Sequence, residues 1–179
     1  MRVLERLGLG TALAATATGV IFIGACSKQV PGTAEVNQGE LASYTSEVAA
    51  SSAAASSSRA AKIEKANDTA CDGLRSANKT SVGSFNAYIE ASNDQAPDAD
   101  AKATEAVTTL RNSATGLDRQ ITGDVVPDLS GPLRDYIAKT NTLADTLERR
   151  VPTDELNGVI DTFNDSKDIA IDVCRPYGS

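Results

Sequence analysis

An all-α fold, an antiparallel up-down-up-down bundle of four helices closed by one disulfide, is what this sequence predicts, and three observations carry it. Apolar residues recur every three or four positions in four successive segments after about residue 59. The breaks between segments are short and hold Pro, Gly, Asn or Ser. Aromatics make up only 4% of the chain and Trp is absent, so the core must be built from Ala, Val, Leu and Ile, which suits closely spaced helices.

The N-terminus reads first as an address. Arg2 and Arg6 precede an apolar run from Leu7 to Ile23, which ends in Ile23-Gly24-Ala25-Cys26. That order of basic, apolar and small-residue regions is a secretory signal ending in a lipobox, with residues 1–25 as the signal peptide. Cleavage before Cys26 lets its thiolate take a diacylglycerol, and the freed amine a further chain such as palmitate; two or more chains anchor a protein stably. The alternative is a single transmembrane anchor with Cys26 as an ordinary residue. Its apolar stretch, about 17 residues, is at the short limit for a span and no basic stop-transfer cluster follows it.

Residues 26–58 read as the lipidated N-terminus and a spacer, since the tract Val48 to Ser58 is almost wholly Ser and Ala and has too little apolar surface to offset ordering entropy. This tract is expected to be flexible, with Leu41, Tyr44 and Val48 spaced for a weak transient helix. Residues 59–179 form the bundle domain, large enough for one modest core.

In that domain the first helix runs from about Arg59 to Ser92, with Ile63, Ala66, Ala70, Leu74, Ala77, Ser81, Phe85 and Tyr88 on its inner side. Gly73 and Gly83 weaken it by about 1 kcal/mol each. After the turn Asn93 to Pro97, a second helix opens with Asp98 and Asp100, where the helix dipole favours acids. Its seam, Ala103, Val107, Leu110, Ala114, Leu117 and Ile121, has the cleanest helical spacing in the chain. Ser130-Gly131-Pro132 is expected to cap a third helix with the seam Leu133, Ile137, Thr140, Ala144, Leu147 and Val151, and with Arg149 and Arg150 in its last turn. Thr153 is expected to cap the fourth, whose apolar side carries Leu156, Ile160, Phe163, Ala170, Ile171 and Cys174.

With Cys26 assigned to lipid, Cys71 and Cys174 remain, and an even remainder in an exported chain reads as a disulfide. The topology agrees: Cys71 lies 21 residues before Ser92, and Cys174 lies 21 residues after Thr153. At the rise of an α-helix both thiols lie about 31 Å below the same end of an antiparallel bundle. A loop this long would stabilise by about 4 kcal/mol.

The residues argue against catalysis. There is no His, which removes the commonest general base and, with no third thiol, a zinc site. No nucleophile elbow, P-loop or C-x-x-C string occurs, and no cofactor is expected. Asp98-Ala99-Asp100 lacks the glycine and glutamate of a calcium loop. A net charge of −7 argues against nucleic acid and anionic headgroups as partners.

Asp161, Asp165, Asp168 and Asp172 form one stripe, read as a solvated outer face. Lys167 instead projects among Ile160, Phe163 and Ile171, level with Asn78 of the first helix, so Asn78, Thr140 and Lys167 are candidates for a small internal polar layer. A Lys that snorkels outward along its aliphatic stem is the plainer reading. The N-x-S/T strings at Asn67, Asn78 and Asn164 carry no information in a bacterial lipoprotein.

Taken with the lipobox, the Ala-rich composition, the string Val30 to Ala34 (V-P-G-T-A), the Ser/Ala spacer and an acidic domain with two cysteines, the chain resembles small exported lipoproteins of mycolic-acid actinobacteria. The resemblance implies a place on the extracytoplasmic face of the cell membrane and no mechanism. The function expected is a tethered, non-catalytic binding or scaffold module that meets an envelope protein or wall polymer. The alternative is a carrier that shelters an apolar ligand between helices; an internal cavity would favour the carrier, a filled core with an exposed patch the scaffold.

Overall fold

A computed structural model describes residues 36–178. The signal segment 1–25, Cys26 and the first part of the spacer lie outside the described residues. Four helices follow in order: α1 Gln38–Asn93, α2 Ala99–Asp118, α3 Pro127–Glu148 and α4 Thr153–Val173. Each packs against its successor, α1 only beyond Lys62, while α1 and α4 meet much less. This is the antiparallel four-helix bundle that the periodicity predicts.

The core is aliphatic, as the shortage of aromatics requires. Leu74 from α1, Leu110 and Leu117 from α2, and Leu133, Leu143 and Leu147 from α3 are sealed from solvent, with alanines such as Ala70, Ala103, Ala106 and Ala144 letting backbones approach. All six residues of the expected second seam are buried, although α2 ends at Asp118 and Ile121 lies just past it. At the end of the bundle where α1 enters, Cys71 and Cys174 form a disulfide with Cα atoms 5.5 Å apart. The Arg75 guanidinium donates to the carbonyls of Cys174 and Tyr177, and Gly178 N–H donates to Asp68, so the C-terminal tail is tied back onto α1.

The Ser/Ala tract departs from its expected flexibility, since α1 begins at Gln38. Asn37 caps it, Oδ1 accepting from the N–H groups of Gly39 and Glu40 at 3.0 and 3.4 Å. Beyond Gly39 no Gly or Pro interrupts the helix before Gly73, Ala is the strongest helix former, and hydroxyls such as those of Ser51, Ser52 and Ser57 donate back to carbonyls in the preceding turn. All residues from Val36 to Lys62 are nevertheless exposed. About three turns of Ser and Ala do not break a helix; they only leave it with nothing to bury.

Three helix ends also differ from expectation. α3 starts at Pro127 rather than after Ser130, because Pro at the first helical position needs no N–H partner. Pro132 therefore lies within the helix, where its ring nitrogen gives up a backbone bond. Asn67, buried in α1, accepts from Val126 N–H at 3.1 Å and fixes this entry. Thr153 is the first residue of α4 rather than its cap, and Pro152 occupies the cap without a side-chain bond. α3 ends at Glu148, so Arg149 and Arg150 fall just past it; Arg150 takes φ +52° and reaches the Asp100 carbonyl.

Across the α2–α3 seam Arg111 holds Asp145 at 2.7 Å and both oxygens of Glu148 at 2.7 and 3.1 Å. Hydrogen bonding to Arg111 keeps the Glu148 carboxyl below its usual range. Both groups are exposed, so the clamp contributes register more than stability.

Candidate functional site

The weak α1–α4 seam opens into a cleft of about 110 Å³. Ser81, Val82, Phe85 and Asn86 line it from α1, and Ile160, Phe163 and Asn164 from α4, with Leu110 and Leu143 behind. Two physical features set its position. The disulfide pins α1 to α4 near one end, and Ser81 lies ten residues on, about 15 Å along the helix. Opposite Phe163 and Ile160, α1 presents Ser81 and Val82, whose small side chains do not fill the gap.

Apart from Asn86 and Asn164 on the solvent side the walls are apolar, but the inner end is not. Ser81 is fully buried and its Oγ has no hydrogen-bond partner. Behind it lies Tyr136 of α3, also fully buried, with its ring centroid 5.6 Å from that of Phe163. The Tyr136 hydroxyl stands beside those of Thr140 and Ser81, near enough for weak polar contact, but with well-formed hydrogen-bond geometry to neither. Burial pushes the Tyr136 pKa upward, with those two hydroxyls opposing. Buried polar groups almost always find partners, so two orphaned hydroxyls side by side at the inner end of a cleft are unusual.

The sequence-derived polar layer is only partly assembled. Thr140 is buried, yet its Oγ1 donates to the Tyr136 carbonyl one turn back at 2.7 Å. Asn78 has a buried, unpartnered Oδ1. Lys167 joins neither: its Nζ donates to Asn164 Oδ1 at 3.0 Å and lies 3.5 Å from Asp168, on its own helix. Its side chain keeps 23% of its exposure, so the ammonium reaches water along an otherwise apolar stem. Through Asn164 it sits at the rim of the cleft.

Tyr136 is the residue that seam spacing overlooked, together with Leu143; both belong to a second column beside Leu133, Thr140 and Leu147, three and four residues away. Ile171, assigned to the apolar side of the fourth helix, is 38% exposed because α4 has only two flanks to pack. Asp161, Asp165, Asp168 and Asp172 all face solvent. Among the described residues no group of carboxylates and thiols is placed to hold a metal ion, and no helix is long and apolar enough to cross a membrane.

The fold defines a four-helix bundle domain. Residues 53–175 match the family described as the Rv2240c four-helix bundle domain, a family that carries a mycobacterial name, and the chain belongs to it. No curated protein and no solved structure matches the chain.

Proposed function

We propose that this protein is a lipid-anchored, non-catalytic binding or scaffold module of the cell envelope, attached through Cys26 to the extracytoplasmic face of the cell membrane. The observation that carries this reading is the exposed first part of α1. From Gln38 to Lys62 it extends about 37 Å without burying a residue, and it stands between the lipobox cysteine and the disulfide-closed bundle. A helix in that place holds a bundle away from a membrane surface and presents it to an envelope protein or wall polymer. Labelling cells with a clickable fatty acid tests the anchor: the native chain takes the label into the membrane fraction and Cys26→Ala does not. Equal labelling of both chains overturns it.

A second reading, a carrier that shelters an apolar ligand between helices, is favoured by the α1–α4 cleft.

A further inference from the structure

We infer that the α1–α4 cleft binds a compact apolar molecule that carries a single oxygen, of the size of phenol or cyclohexanol, with the oxygen accepting from Ser81 Oγ. The inference rests on the carrier reading and adds the chemistry of its ligand. Size comes first. At about 110 Å³ the cleft is somewhat smaller than the ~150 Å³ cavity that accepts benzene, and an acyl chain or a lipid headgroup is too large for it. The seam is the one least packed in the bundle, so the small opening needed disturbs few neighbours.

Polarity comes second. Asn86 and Asn164 line the cleft on its solvent side, whereas Val82, Phe85, Leu110, Ile160 and Phe163 offer no hydrogen-bonding group, so a ligand polar along its whole length would lose hydration that these walls do not replace. A purely apolar ligand would leave Ser81 as it is now, buried and unpartnered. One oxygen at the inner end satisfies that hydroxyl and leaves the rest of the ligand against the aromatic and aliphatic walls. Discrimination of this kind arises where the site's own buried polar group is otherwise orphaned. The Tyr136 hydroxyl stands behind Ser81 as a second donor, able to hand its proton toward Ser81 once Ser81 donates to the ligand.

Titration of the full chain with phenol and with benzene, followed through the methyl resonances of Val82 and Ile160, tests this. Phenol should bind about fivefold more tightly than benzene, the worth of one net hydrogen bond. In Ser81→Ala the two affinities should converge, with benzene unchanged. Val82→Phe, which fills the cleft from its wall, should abolish both while the chain stays helical. Equal affinities in the native chain overturn the assignment of the oxygen and leave an apolar carrier standing. Binding of neither molecule overturns both, and shifts that persist in Val82→Phe place the ligand elsewhere and overturn the site.

Discussion

From Gln38 to Lys62, α1 is held by its own backbone and by serine hydroxyls folded onto it, whereas from Ile63 to Asn93 the same helix is held by its neighbours and a disulfide. The first part is richer in good helix formers, and the second contains both Gly73 and Gly83. Propensity and packing thus run in opposite directions along one helix. Where Ala and Ser suffice locally, nothing is buried; where glycines weaken the backbone, the core compensates. At Gly73 the end of the Gln120 side chain packs across the backbone from beyond α2, and a Cβ there would make it turn aside.

Opening the disulfide is the largest way to break that contrast. Cys71 and Cys174 are 103 residues apart, and joining them restrains the unfolded chain by about 4 kcal/mol on the loop-entropy account. Cys71→Ser with Cys174→Ser should lower the midpoint of chemical denaturation accordingly, yet leave proteolysis between residues 38 and 62 as it was. A parallel increase in cleavage of that stretch would mean the two parts unfold together. Next in size, Leu74→Ala should cost about 3 kcal/mol, because Leu74 is fully buried, while Leu41→Ala should lie within about 0.5 kcal/mol of the native chain. Comparable losses from the two would show that the exposed stretch packs on something in solution.

The same contrast explains how far the sequence could be read. Apolar spacing reports an inward face, so the α2 seam from Ala103 to Ile121 was legible residue by residue, and the matched depths of Cys71 and Cys174 placed the disulfide. Spacing says little of a helix that buries no face, so the stretch from Gln38 to Ser58 read as a flexible spacer with no more than a weak transient helix through Leu41, Tyr44 and Val48. Nor does it say how completely facing side chains fill the space between them. Ser81 could be placed on the inner side of the first helix, but its lack of a partner depends on Tyr136 arriving from α3 and on Phe163 and Ile160 standing off from α4. Tyr136 itself was hidden by following a single column of the third helix. Helix ends were the other gap: Pro127 and Pro152 displaced Ser130 and Thr153 as starting points, and the Asn67 bond to Val126, which settles one of those starts, joins residues far apart in sequence.

That bond gives the third effect in size. Asn67→Ala removes the acceptor for a partly buried N–H and should cost about 1–2 kcal/mol in denaturation. No measurable loss would show that the Val126 N–H finds another acceptor. Smaller still, Lys167→Met should be neutral or slightly stabilising, since Lys167 bonds only to residues of its own helix and orphans no buried group when removed. A loss above about 2 kcal/mol would return Lys167 to an internal polar layer with Asn78 and Thr140.

Tyr136→Phe carries the smallest expected effect at neutral pH and a distinct one in alkali. The hydroxyl is buried without a hydrogen bond, so its removal relieves a desolvated group and should leave stability unchanged or raised by up to about 1 kcal/mol. In alkali the native chain behaves differently. An ordinary tyrosine loses its proton near pH 10, and burial moves Tyr136 above that value in the folded state. As pH climbs past about 10, the unfolded chain releases this proton before the folded one does, so it binds fewer protons and is favoured. The stability that neutral burial contributes is therefore intact below about pH 10 and is lost as pH rises through the folded value. Tyr136→Phe has no such proton, and its denaturation midpoint should fall less than the native chain's between about pH 9 and pH 11. Parallel decline of the two would show that the phenol titrates alike in both states and is reached by solvent. A loss above about 1 kcal/mol at neutral pH would show the hydroxyl bonded within the fold, to Ser81 or to water in the cleft, and would remove one of the two orphaned hydroxyls at the inner end of the α1–α4 cleft.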